Sequence, residues 1–213
     1  AVFDMGDAST EGGDERIQVP PSLTFSMYPS LYETGARVIL QGWGNQVVLY
    51  SPYDQETDEF SFDSFLHNHQ SLQDVLSVYP AGNCGYGSRN AKNADEEGFT
   101  NSNCATRGSQ SVTTPCQSKN SLCVGASQND VVLRNRHKMA MFSSTGPTFD
   151  GRIKPDVTAP GFYLSTAKPI SSIENNQNVT SFQKSCKVTH IMGTSAAAAH
   201  VSGLALLASE YFI

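Results

Sequence analysis

The 213-residue sequence has no run of about 18 consecutive apolar residues, the length a helix needs to cross a bilayer. Its longest greasy stretch, Val201 to Leu207, is too short and is broken by Gly203. Basic residues are scarce as well. Lys and Arg number 14 against 20 Asp and Glu, and the net charge of -6 argues against a nucleic-acid partner, whose phosphates need a basic face. None of the five cysteines sits in a Cys-x-x-Cys pair, so no zinc site is expected. No initiator Met and no basic-then-apolar leader opens the chain.

What is present suits a globular core: 38% hydrophobic residues against 16% charged. Ala1-Val2-Phe3 reads as the start of a buried strand, and Tyr211-Phe212-Ile213 leaves a helix without a stop signal. Both ends read as cut through structure, so a fragment of a longer domain is expected. Cys104 and Cys116 flank a polar loop, and a bridge between them would contribute about 3 kcal/mol by the loop-entropy estimate. The odd cysteine count leaves at least one free thiol or a partner elsewhere. Asn178-Val179-Thr180 is a candidate glycosylation site. With the cysteines it points to a secreted or secretory-lumen protein.

Short apolar runs alternate with amphipathic segments, the pattern of βαβ units around a parallel sheet. Strands are expected at Ala1 to Met5, Ala36 to Leu40, Val75 to Tyr79, Ser121 to Ala126 and Lys138 to Phe142, with an extended piece at Ile153 to Ala159. Helices are expected near Leu23 to Tyr32, interrupted by Pro29 and stopped at Gly35, at Phe60 to His69, and from Thr194 onward. Long polar loops span about Tyr86 to Ser118 and Ser171 to Lys187.

Two positions carry chemistry. Ser195 opens the Ala-rich helix of Gly193-Thr194-Ser195-Ala196-Ala197-Ala198-Ala199-His200-Val201. Its hydroxyl would stand at the positive end of the helix dipole, beside unpaired backbone N–H groups, as a nucleophile requires. An ordinary serine cap on a buried helix fits the same residues. Asn83, in Pro80-Ala81-Gly82-Asn83-Cys84-Gly85 after an apolar strand, would project its amide into the crevice at the strand's end. There it could donate to an oxyanion, although a plain Gly-Asn turn is equally compatible.

The motifs taken together are more specific. A-G-N-x-G at Ala81 to Gly85, V-G-A at Gly125 and its neighbours, F-S-S-x-G-P from Phe142, D-G-R-I-K-P-D-V-x-A-P-G from Asp150, and G-T-S-x-A-A-x-H-V-x-G from Gly193 resemble the subtilase family in order and spacing. The resemblance implies a three-layer α/β domain with a mostly parallel sheet flanked by helices, subtilisin-like and incomplete at both ends. It makes residues 1 to 213 a partial peptidase domain that follows the catalytic Asp and His and runs through the nucleophile helix. It implies Ser195 as nucleophile and Asn83 as oxyanion donor. It also implies Gly42, Trp43 and Gly44 as a strand pairing with substrate, and Ala81 and Gly82 as lining for the side chain before the cut bond. The substrate would be a peptide or protein. Subtilases often bind calcium, but no ligand is assignable here.

Departures are equally visible. Ala196 and Ala199 replace the family's Met and Pro, and Gln41-Gly42 replaces Asn-Ser before Trp43. No His-Gly-Thr-His motif precedes the serine. Asp4-Met5-Gly6 resembles the family's Asp-Thr-Gly, which would make it the catalytic Asp of a chain deleted for its histidine segment; the interval to Gly35-Ala36-Arg37-Val38 favours the strand after the histidine helix. His200 follows the nucleophile on its helix and is not the base. His67 and His69, two apart on a helix, face different ways and do not read as metal ligands; Asp4, Asp7 and Asp14 lack a calcium-loop spacing. The expectation is a serine endopeptidase fragment that is inactive alone; the alternative is a catalytically inactive binding module. An α/β-hydrolase is excluded because Ala197 stands where Gly-x-Ser-x-Gly needs glycine.

Overall fold

A computed structural model of the chain describes residues 27–44, 58–69, 73–86, 104, 106–129, 138–167 and 188–212. Four parallel strands form one sheet in sequence order: β1 (Val38–Leu40), β2 (Leu76–Pro80), β3 (Ser121–Ser127) and β4 (Val157–Pro160). The registers Val38↔Leu76, Val78↔Leu122 and Val124↔Val157 run in one direction throughout. Two parallel strands need a crossover, and α2 (Asp58–Asn68) lies in the connection between β1 and β2.

The period-2 pattern of β2 and β3 explains the layers. On one face Tyr79, Ile39 and Cys123 pack with Met27, Tyr28 and Leu31 of the α1 region (α1, Tyr28–Glu33) and with Phe62 and Leu66 of α2. On the other face Val78, Val124, Ala126 and Ala159 pack against Ala197 and Ala198 of α3 (Thr194–Phe212). The domain is therefore an α/β fold with helices on both faces of a parallel sheet. Edge-on aromatic pairs tie the first layer together: Tyr28 with Phe62 at 5.3 Å and Phe62 with Tyr79 at 5.9 Å, each worth about 0.5–1.5 kcal/mol beyond its buried area.

Local chemistry corrects several sequence expectations. Pro29 starts α1 rather than interrupting it, since the first turn needs no N–H from that residue. Gly35, at φ +89°, ends the helix with its N–H on the Tyr32 carbonyl. Lys138 to Phe142 is not a strand. A single bridge from Met139 to Ser127 forms before the chain turns, with Ser143 N–H donating to Ala140. A second sheet was not foreseen: β5 (Leu164–Ala167) pairs antiparallel with β6 (Val188–Ile191).

Cys104 and Cys116, which flank a polar loop in the sequence, are not bonded to each other. Cys84 bonds to Cys104, and Cys116 bonds to Cys123 across the turn that begins β3. The strand expected at Ala1 to Met5, Cys186, the Asn178 sequon and His137 lie outside the described residues. No helix among the described residues is long and apolar enough to cross a membrane.

Candidate active site

Three segments meet at the carboxyl end of the sheet, where α/β folds place their ligands. Gly42-Trp43-Gly44 follows β1, Ala81 to Cys84 follows β2, and the first turn of α3 follows β6 through Gly193. The helix can come this close because its first layer is small. A β-carbon on Gly161 would meet Ala126 Cβ at 2.7 Å, the Gly193 carbonyl at 2.8 Å and Ala197 Cβ at 3.2 Å. Gly193 itself sits at φ +148°, a conformation that disfavours a side chain.

Thr194 latches the helix to the loop after β2. Its backbone N–H and its hydroxyl both donate to Asn83 Oδ1 at 3.0 Å, and the same hydroxyl accepts the Gly82 N–H at 3.1 Å. A backbone N–H can only donate, so the amide orientation of Asn83 is assigned by chemistry: oxygen toward Thr194, Nδ2 away. Among the described residues nothing accepts from Nδ2. The position a β-carbon of Gly193 would take lies 3.8 Å from Asn83 Nδ2 and 3.9 Å from Ser195 N, so both nitrogens border one small space. Ser195 N–H is one of the orphan donors of a helix start.

Ser195 is half-buried, and its hydroxyl donates to the Gly42 carbonyl at 2.8 Å. Gly42, Trp43, Gly44, Pro80, Gly82, Asn83, Cys84, Thr113, Thr194 and Ser195 line one open cavity of about 220 Å³. The structure thus brings together Ser195, Asn83, Gly42, Trp43, Gly44 and Gly82. Ala81 is fully buried behind the wall. Gln41 is fully buried too, and turns away from the cleft to donate to the Tyr28 hydroxyl at 2.7 Å. Tyr28 in turn donates to Ser77 Oγ at 2.8 Å and meets the Tyr79 hydroxyl at 3.1 Å. Burial, only partly offset by these hydrogen bonds, pushes the Tyr28 phenol up to about 12, while burial and then the neighbouring Tyr28 hold Tyr79 well above its ordinary value.

The described histidines stand elsewhere. His67 and His69 are exposed at the end of α2, His200 is exposed on α3, and His190 on β6 packs against Tyr163 at 6.4 Å. Among the described residues no imidazole bonds to Ser195. No group of three His, Cys, Asp or Glu that could hold a metal stands among them either, so no described residue is assigned to a calcium ion.

Sequence reasoning missed Thr194 and Thr113 as parts of the site. Thr194 was legible as the middle of Gly-Thr-Ser. Thr113 lies in an irregular segment with no local signal and reaches the cavity only through the fold.

A family model described as the subtilase family matches residues 12–212. The chain belongs to the subtilase family. The parallel sheet with flanking helices is this family's α/β domain, and the family is one of serine peptidases. Among curated relatives, the chain is 28% identical to the serine protease/ABC transporter B family protein tagD of Dictyostelium discoideum, over 79% of this chain and 12% of that protein. It is 27% identical to tagB of the same organism over 100% of this chain and 13% of that one. The chain thus spans about an eighth of the length of these relatives. Among solved structures it is similar to the prenylagaramide maturation protease PagA, at 20% identity and a TM-score of 0.49 over 83% of this chain and 44% of that one.

Proposed function

We propose that these residues form the nucleophile side of a serine endopeptidase cleft. Ser195 Oγ attacks the carbonyl carbon of a peptide bond, and its proton passes to an imidazole supplied by a segment other than the described residues. The carbonyl oxygen becomes an oxyanion between Asn83 Nδ2 and Ser195 N–H. Collapse expels the amine, which takes the proton, and leaves an acyl group on Ser195 that water then hydrolyses. Gly42 to Gly44 pair with the substrate backbone as an added strand, and Gly82 borders the side chain preceding the cut bond.

One observation carries this reading. Two donations from Thr194 hold Asn83 Oδ1, so Nδ2 is left facing the same space as the N–H of Ser195. An ordinary serine cap would need no such second donor from a loop 111 residues before Thr194. The catalytic Asp and His then belong to a longer protein in which residues 1–213 are a partial domain. The two disulfides support an oxidising, secretory setting.

A second reading, a cleft that binds peptide without cutting it, is favoured by one feature: the Ser195 hydroxyl donates its hydrogen bond to the Gly42 carbonyl, which cannot act as a general base. A serine-reactive fluorophosphonate applied to the full natural chain separates the two. Labelling lost in Ser195→Ala supports the peptidase; no labelling of Ser195 supports the binding module.

A further inference from the structure

The cavity beside Ser195 has two backbone walls, Gly42 to Gly44 on one side and Pro80 to Cys84 on the other. One side chain stands between them. A β-carbon on Gly44 would come 2.5 Å from Thr113 Oγ1 and 2.9 Å from its Cβ, and one on Gly82 would come 2.5 Å from Thr113 Cγ2. Thr113 therefore touches both walls with its two branches, and only glycine fits opposite each.

The plug is held in place. Thr113 N–H donates to the Ala81 carbonyl at 2.9 Å, and its hydroxyl donates to the Pro80 carbonyl at 3.1 Å. Thr113 is 5% exposed, and the adjoining Val112, at 1%, belongs to the core. A β-branched side chain has few χ1 choices, and rotating this one would break the Pro80 bond and drive a methyl into a glycine wall. Thr113 therefore cannot swing aside for a ligand as a Lys or Met could.

We infer that Thr113 limits the residue whose carbonyl meets Ser195 to a small side chain: Gly, Ala or Ser, to the exclusion of Phe, Tyr and Leu. This rests on the peptidase reading for the identity of that carbonyl, but the space itself depends only on the cavity. A rigid floor acts asymmetrically. It tolerates a side chain that underfills the recess at a modest loss and rejects one that overlaps it much more strongly.

The test uses the full natural chain and two peptide pairs that differ only in Ala against Phe. One pair carries a scissile bond after that residue. The other ends in it as a free carboxylate and needs no chemistry to bind. The expected result is a preference for Ala of about a hundredfold or more in kcat/KM, with the same direction in Kd for the carboxylate pair. Thr113→Gly should raise the Phe peptide by about tenfold or more and leave the Ala peptide nearly unchanged. Thr113→Val, equal in volume but without the hydroxyl, should keep the preference for Ala. Equal handling of Ala and Phe by the unaltered chain, or an unchanged ratio in Thr113→Gly, overturns the inference. Absence of hydrolysis with a retained, Thr113-dependent binding preference would sink the peptidase reading and leave the size limit standing.

Discussion

Asn83 Oδ1 accepts from both the backbone N–H and the hydroxyl of Thr194, each at 3.0 Å, so the loop after β2 and the start of α3 are one mechanical unit. The position of the amide nitrogen of Asn83 relative to Ser195 follows from that latch and not from any direct contact between the two.

Replacing Asn83 by Asp keeps an oxygen on Thr194 but puts a second acceptor, bearing charge, where an oxyanion must form. The expected outcome in the full natural chain is a fall in kcat of about 10²–10³ or more with little change in KM. Steady-state kinetics on peptide substrates measures both.

Thr194→Val removes one of the two donors to Asn83 and leaves Gly82 N–H without its acceptor at a buried position. A buried group left unpaired costs about 1–3 kcal/mol. Urea unfolding should show that loss, and Thr194→Ser should restore most of it.

Cys84 directly follows Asn83, and Gly108 N–H donates to the Cys84 carbonyl, so the Cys84–Cys104 bridge ties the oxyanion loop to the 104–108 segment. Peptide mapping by mass spectrometry should find Cys84–Cys104 and Cys116–Cys123. Replacing both Cys84 and Cys104 with Ser should cost about 3 kcal/mol of stability, and the shorter Cys116–Cys123 loop about 2.5 kcal/mol.

Tyr28 and Tyr79 share a buried hydroxyl cluster, and the Tyr28 phenol is pushed up to about 12 because burial disfavours the phenolate. A group whose folded value lies above its unfolded value of 10.0 contributes stability that is fully present below pH 10. That contribution fades as pH climbs toward 12. Ultraviolet titration should show two tyrosines resisting ionisation until the fold opens. Tyr28→Phe should be less stable at pH 7, and its stability should fall less between pH 10 and 12.

The placing of the candidate site's two main segments was legible in the sequence because glycines mark where the backbone must turn or approach closely. Gly82-Asn83 ends a buried strand, and Gly193-Thr194-Ser195 opens an alanine-rich helix, so both could be placed without long-range information. Lys138 to Phe142 misled because an apolar run of that length is compatible with a strand, whereas here Ser143 Oγ accepts the Ala126 N–H after a turn. Leu164 to Ala167 was invisible because the strand is half-exposed and its ladder partner lies beyond a long polar stretch. Disulfide pairing could not be read because proximity along the chain says little about which of the other four cysteines the fold brings to Cys104. Thr113 could not be read at all, since its contacts with Gly44 and Gly82 arise only from packing.

The most direct measurement is a crystal structure of the full natural chain after reaction with a peptide phosphonate. The account predicts phosphorus on Ser195 Oγ and a phosphonyl oxygen about 2.7–3.1 Å from both Asn83 Nδ2 and Ser195 N. A phosphonyl oxygen turned to solvent, or an Asn83 amide swung off Thr194 with Nδ2 out of reach, would contradict it.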